Sequence, residues 1–236
     1  MRILILGAGK MGSFFVDLLS FDHTTAVYDI DPRRLRFMYN TERFTTLDVF
    51  RQVIPYLPAD CILSDIASVK TGMKAFYEGC GHRYVSTHPM FGPTFANLGA
   101  LSNENAIVIT EGDYMGRIFF KDLYARLGLH ICEYTFDEHD ETVAYSLAIP
   151  FVSTFVFAAV MKHQDAPGTT FKRHMAIARG VLGEDDCLLR EILFNPRTGG
   201  QVGKIRDELK ELLHIIDSKD EAALTAYLGK IREHIK

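Results

Sequence analysis

Three short stretches hold the residue types that do chemistry on small molecules: G-A-G-K-M-G at 7–12, S-D-I-A-S-V-K at 64–70 and S-T-H-P-M-F-G-P-T at 86–94. In the third, His88 offers an imidazole, whose ordinary pKa of about 6.5 suits a general base working near neutral pH. A histidine between a strand end and a proline is more often a structural residue, so type and place alone do not make it the base. In the second, Ser68 offers a hydroxyl and Lys70 an ammonium that could anchor a carboxylate, although a lysine in a first helical turn is usually solvated. Pro89, Gly92 and Pro93 are loop formers that would shape the segment presenting His88.

The first stretch follows the apolar run Ile3 to Leu6, so a strand enters a glycine turn. Gly7 suits the tight turn, and Gly9 has no Cβ to hold a pyrophosphate off the backbone. Gly12 lets the following helix approach the strand closely. That helix, from Lys10 to about Ser20, would aim its first N–H groups at a phosphate. Asp29 closes the next apolar run, Ala26 to Tyr28, which completes the setting of a dinucleotide fingerprint. The residues expected to hold the cofactor are Gly7, Ala8, Gly9, Lys10, Met11, Gly12, Asp29 and Arg33. A carboxylate at Asp29 suits the ribose hydroxyls of NAD and would repel the 2′-phosphate of NADP. Arg33 and Arg34 stand close enough to hold that phosphate, which keeps NADP in play. They also fit as solvated charges in a helix opened by Asp31 and Pro32.

With 236 residues and 47% hydrophobic content, the chain can bury a full core. Its net charge of -4 gives no reason to expect nucleic acid or an acidic membrane surface. Cys61, Cys80, Cys132 and Cys187 are far apart, with no CxxC pair or histidine cluster. They indicate buried thiols of a reducing compartment, with neither a disulfide frame nor a zinc site. A sequence that starts directly in a strand leads us to expect no signal peptide and a cytoplasmic enzyme. The most apolar stretch, Ala144 to Met161, contains Ser146, Pro150, Ser153 and Thr154. It suits a buried core helix or a subunit interface better than a membrane span.

The positioning elements follow from periodicity. After Asp29 we expect a helix to about Asn40, a strand at 43–45, a helix near 48–56 and a strand at 61–66. Ser68 would then cap a helix running through Phe76. Strands at 84–87, 106–110 and 130–134 follow, with a helix at 113–127. This is an α/β pattern: a Rossmann-like, mostly parallel, doubly wound sheet. From Asp137 the spacing is helical, broken at 167–168, 183–184, 195–200 and around Ser218, giving about five helices and no strand. The expected division is thus 1–135 for nucleotide binding and 136–236 for an all-helical substrate and dimerisation domain.

Together the three motifs resemble the prephenate dehydrogenase family of tyrosine biosynthesis, with H-P-M-F-G-P the most specific of them. The likeness continues through F-D-E-H-D-E-T-V-A-Y-S-L-A-I-P-F and E-D-D-C-L-L-R-E-I-L-F-N-P. It implies NAD(P)-dependent oxidative decarboxylation of prephenate to 4-hydroxyphenylpyruvate, with hydride passing to the nicotinamide. His88 matches the family's catalytic histidine, and Ser68 matches the serine that hydrogen-bonds at the same site. Substrate contacts would fall to Ser68, Lys70 and His88. Lys172 or Arg173 would occupy the place of a carboxylate-binding arginine; Lys172 aligns with it, but Arg173 has the bidentate grip. His139 matches a common family feature, yet its acidic neighbours mark it as part of a helix start.

Two departures stand out. The family often has a histidine near Phe151, where this chain reads S-L-A-I-P-F. The chain is also one strand–helix unit short between Asp29 and the S-D-I-A-S-V-K strand, by roughly twenty residues on helix and strand rise. Either that strand moves beside the first one or the cofactor site is incomplete. Arogenate, the amino-acid analogue of prephenate, is an alternative substrate, and a non-catalytic nucleotide-binding relative is the alternative from another class. The apolar first helix of the second half, carrying Phe151, Phe155 and Phe157, predicts a homodimer.

Overall fold

The structure, a computed structural model, describes residues 1–29, 46–92 and 101–235. The expectations for the 30–40 helix with Arg33 and Arg34, for a strand at 43–45, and for Pro93 and Thr94 lie outside the described residues. The chain separates into two compact units, Met1–His139 and Asp140–Lys236.

In the first unit, β1 (Arg2–Leu6) leads through α1 (Lys10–Leu19) to β2 (Thr24–Tyr28), and the strands pair in parallel from Arg2 opposite Thr24 to Leu6 opposite Tyr28. A second sheet has the order β3 (Ile62–Asp65), β4 (Arg83–Pro89), β5 (Asn105–Ile109) and β6 (His130–Tyr134). Helix α2 (Thr46–Val53) and a 3-10 turn at Ile54–Tyr56 precede β3. Helix α3 (Met73–Gly79) joins β3 to β4, and α4 (Tyr114–Arg126) joins β5 to β6. The pairings β3 with β4 and β5 with β6 are parallel, whereas β4 and β5 run antiparallel. The sheet is therefore mostly parallel, as expected, with one antiparallel step.

Strand β5 shows why the layers form. Its successive side chains alternate between faces, sending Ala106 and Val108 into one core and Ile107 and Ile109 into another. The first core takes Phe15 and Leu19 from α1, Phe120, Leu123 and Tyr124 from α4, and the partly buried Ile3 and Ile5 from β1. The second takes Phe50 from α2, Met73 and Tyr77 from α3, and Phe136. Helices thus cover both faces, which is the doubly wound arrangement.

Among the described residues the only ladder partner of β1 is β2, so β3 does not take the place beside β1. Among these residues side chains, not strand hydrogen bonds, join the two sheets. Phe14 of α1 meets Phe91 edge-on, with ring centroids 6.1 Å apart. Phe91 stands three residues after His88, so the segment carrying the imidazole and the helix behind the glycine turn share one core.

The second unit is helical: the remainder of α5 (Phe136–Ser146), then α6 (Ala148–Val160), α7 (Thr169–Leu182), α8 (Asp186–Leu193), α9 (Thr198–Ser218) and α10 (Glu221–Glu233). The single long helix expected from Asp137 is instead interrupted at Leu147. Pro150 has no N–H for the carbonyl four residues back, so the ladder breaks there. The break expected over 195–200 is shorter than predicted, because Gly199 and Gly200 lie inside α9. Asn195 closes that corner by accepting from the Arg197 N–H at 2.9 Å, and the Thr198 hydroxyl donates to the Ile192 carbonyl at 2.9 Å.

Helix α6 packs against α7 and α9, with Phe157 against Phe171 at 5.7 Å between centroids. Phe136–Val160 is long and apolar enough to cross a membrane, at a mean hydropathy of 2.0, yet only 17% of its most apolar window is buried. The expectation of a buried core helix is therefore not met within one chain. Five packed helices leave too little surface to cover it.

Candidate active site

The glycine turn has the expected geometry. Gly7 has φ +98°, a conformation that L side chains rarely adopt. A Cβ on Gly12 would sit 1.9 Å from the Gly7 carbonyl oxygen, so only glycine allows α1 this close to β1. Around Gly9 the situation is the reverse: a Cβ there would meet no protein atom within 4 Å, leaving open the space a pyrophosphate would fill. Gly9 caps α1 without a side-chain hydrogen bond, and no acidic residue occupies the first turn. The helix N-terminus is thus suited to an anion. Asp29 is buried just past β2, and its Oδ2 accepts from the Ala8 N–H at 2.7 Å. The carboxylate thereby fixes the turn. These residues fit a dinucleotide.

The second cluster grows from Asp65 at the carboxyl end of β3. Its Oδ1 accepts from the Ala67 N–H at 3.0 Å and from the Lys70 ammonium, and its Oδ2 accepts from the Tyr77 hydroxyl at 2.7 Å. Lys70 also donates to the Thr87 carbonyl at 2.7 Å. The Thr87 hydroxyl lies 2.8 Å from the Tyr124 hydroxyl and donates to the Asp65 carbonyl at 3.3 Å. Burial together with the Asp65 charge raises the Tyr77 pKa far above its ordinary value, and burial does the same for Tyr124, so both remain neutral donors.

Two sequence expectations are corrected here. Ser68 does not cap a helix, because 66–72 is a loop folded around Asp65. Helix α3 begins at Met73, capped by Gly72 at φ +79°. Lys70 is neither solvated nor turned toward a substrate: it is 2% exposed and committed to Asp65 and the strand backbone. Burial of the Asp65 carboxylate demands that partner.

His88 follows Thr87 directly and is 4% exposed. Its Nδ1 lies 2.9 Å from Nε2 of His139, with the rings tilted by 58°. Sequence reasoning gave His139 a purely structural place, but the fold brings it to His88. Thr135 and Glu138 form a capping box: the Glu138 N–H donates to Thr135 Oγ1 at 3.2 Å, and Thr135 N–H donates to Glu138 Oε2 at 2.8 Å. Glu111, just beyond β5, accepts the Phe136 N–H at 2.7 Å. The start of α5 is therefore pinned beside the end of β5, and His139, one turn on, reaches His88.

Among the described residues the hydrogen-bond partner of His88 is His139, and Ser68 is half-buried on the loop after β3. Lys172 and Arg173 are exposed in the second unit, near the N-terminal end of α7. Burial, then the neighbouring His139, then the Lys70 ammonium push the His88 pKa well below its ordinary value. The imidazole is held neutral at neutral pH, with Nδ1 engaged and Nε2 the nitrogen through which it could take a proton.

Residues 44–124 match the model of the prephenate dehydrogenase nucleotide-binding domain. This segment is similar to that domain. It contains both S-D-I-A-S-V-K and H-P-M-F-G-P. The T-protein of Enterobacter agglomerans is 20% identical over 250 residues, covering 98% of this chain and 66% of the relative. A probable arogenate/prephenate dehydrogenase of Methanocaldococcus jannaschii is 22% identical over 202 residues, covering 79% of this chain and 44% of the relative. The chain thus spans about two thirds of the first curated relative and under half of the second.

Among solved structures, prephenate dehydrogenase from A. aeolicus in complex with hydroxyphenyl propionate and NAD+ superposes with a TM-score of 0.78 at 20% identity, over 100% of this chain and 98% of that one. Synechocystis arogenate dehydrogenase superposes with a TM-score of 0.69 at 19% identity, over 99% and 98%. The fold expected from the sequence, a Rossmann-like unit followed by a helical one, is the fold these proteins share.

Two outcomes are expected. Lys70→Met leaves a carboxylate buried without its cation and should destabilise the protein by about 3–5 kcal/mol in urea unfolding; a loss under about 1 kcal/mol would show that the pair does not hold the loop. The neutral, buried His88 binds fewer protons than the unfolded chain once pH drops below about 6.5. Its contribution to stability is therefore present above that pH and lost as pH falls. Between pH 7.5 and 5.5 the wild type should lose more stability than His88→Asn, by on the order of 1 kcal/mol, and equal losses would contradict the assignment.

Proposed function

We propose that the chain is an NAD-linked dehydrogenase that oxidises prephenate with loss of carbon dioxide, with His88 as the base. The observation that carries this reading is the buried, neutral His88 at the end of β4, three residues before Phe91, which shares a core with the helix behind a glycine turn shaped for a dinucleotide. The family match over 44–124 and the NAD+ and ring-bearing acid named with the A. aeolicus neighbour support it.

Bound NAD supplies the hydride acceptor. Gly9 admits the pyrophosphate to the N-terminus of α1, and Asp29 favours the unphosphorylated ribose of NAD over that of NADP. As the ring carbon gives up its hydride, the hydroxyl proton goes to Nε2 of His88. The carboxylate would then leave as carbon dioxide, its bonding pair passing through the ring to the former hydroxyl oxygen, which would recover a proton from His88 to give the phenol. A neutral imidazole held out of water is ready for that proton without first losing one. Ser68, on the loop facing the same strand ends, would hydrogen-bond the reactants. For the remaining substrate carboxylate the candidates are Lys172 and Arg173, of which Arg173 has the forked geometry.

Arogenate differs from prephenate only in carrying an amino group for a keto group, and the arogenate dehydrogenase among the neighbours makes it the second substrate to test. The four cysteines are free thiols, half-buried where the sequence led us to expect buried ones, in keeping with a reducing, cytoplasmic location. A homodimer fits the exposed apolar residues of the helical unit, among them Val156, Val160, Ile177, Leu209, Leu213 and Ile216.

Mixing the protein with NAD and prephenate should produce NADH absorbance, with NADP weaker and arogenate as the comparison. Cofactor binding without reduction for any of the four pairs would instead favour a non-catalytic relative. Sedimentation at micromolar concentration should show twice the chain mass, and a monomer would sink the dimer.

A further inference from the structure

We propose that His139 is a positioning residue that sets the tautomer of His88, holding the proton on His88 Nδ1 so that Nε2 is the open base. This rests on His88 being the base. The 2.9 Å contact joins Nδ1 of one buried imidazole to Nε2 of another. Two facing lone pairs would repel and two facing N–H groups would collide, so the contact holds one proton. If His139 donates it, His88 carries its own hydrogen on Nε2 and cannot accept another there. If His88 donates it, Nε2 is bare. The two arrangements differ only in where protons sit, yet one is active and the other inert.

Geometry favours the contact persisting through the reaction. His139 lies in the first turns of α5, whose start is fixed by the Thr135–Glu138 capping box and by Glu111. His88 is fixed by the strand register and by Lys70 on the preceding carbonyl. Neither ring needs to move for a proton to arrive. When Nε2 of His88 takes the hydroxyl proton, the Nδ1–H of the resulting imidazolium points at the Nε2 lone pair of His139. The new charge is therefore met by an acceptor already in place in a site that excludes water. The arrangement parallels the way a carboxylate orients a catalytic imidazole, with a neutral acceptor in its place.

Long-range 15N–1H correlation spectra of histidine-labelled protein at pH 7.5, with His88 assigned by its absence in His88→Asn, should show His88 with Nδ1 protonated and Nε2 bare. Replacing His139 by Phe should remove that preference and lower kcat by about tenfold or more, the rate equivalent of one lost hydrogen bond, with NAD affinity unchanged. His139→Gln, whose side-chain carbonyl can accept the same bond, should recover both the spectrum and most of the rate. An Nε2-protonated His88 in the wild type overturns the proposal. So does a Phe variant that keeps full kcat and an unaltered His88 signal. Because the wild-type spectrum needs no turnover, a protein inactive on prephenate and arogenate would overturn the proposed function without deciding the tautomer, which the spectrum decides by itself.

Discussion

The buried ion pair between Lys70 and Asp65 is the constraint on which the site depends. A carboxylate at the end of β3 is costly to bury, and in this chain it is neutralised and bonded on both oxygens, by Lys70 and the Ala67 N–H on one side and the Tyr77 hydroxyl on the other. The same ammonium reaches across to the Thr87 carbonyl, so the charge that satisfies β3 also ties down the residue before His88. The loop carrying Ser68 must fold inward to deliver Lys70, which is why no helix begins there. Burial first, then the neighbouring His139, and last the pair's ammonium keep the His88 imidazole neutral.

From that cluster the rest of the unit follows in order. Thr87 and Tyr124 link β4 to α4, and β5 alternates its side chains into the two cores, while Phe91 carries the chain from His88 onto α1. Among the described residues the nucleotide turn and the imidazole are therefore not joined by a continuous ladder of strand hydrogen bonds. What joins them is packing: Phe14, Phe15 and Leu19 on α1 against the face of β4 and β5. Close packing transmits position well enough for this task, because displaced aromatic rings leave voids that cost stability.

Much of this was legible in the sequence. The glycine turn, Asp29, the strand ends and the placing of His88 follow from local rules, since each depends on residues a few positions apart. The helical second half was equally plain, and Pro150 alone accounts for its interrupted first helix. Two features were not legible. That Lys70 turns inward could not be read from S-D-I-A-S-V-K, because the decision belongs to Tyr77 and Thr87, which compete with solvent for the Asp65–Lys70 pair. That His139 meets His88 depends on a separation of 51 residues and on the antiparallel step between β4 and β5. Local periodicity said helix start, correctly, but not what the helix start would face.

The central claim is that His88 accepts the substrate proton from within a scaffold that binds the cofactor independently of it. The most direct measurement is the comparison of His88→Asn with the wild type for both NAD affinity and turnover. Asparagine keeps a polar side chain at the end of β4 and leaves Gly7, Gly9, Gly12 and Asp29 untouched. The account predicts unchanged NAD binding and turnover lower by about a hundredfold or more, the usual range for loss of a general base. Near-normal turnover in His88→Asn, with NAD bound as in the wild type, would contradict it.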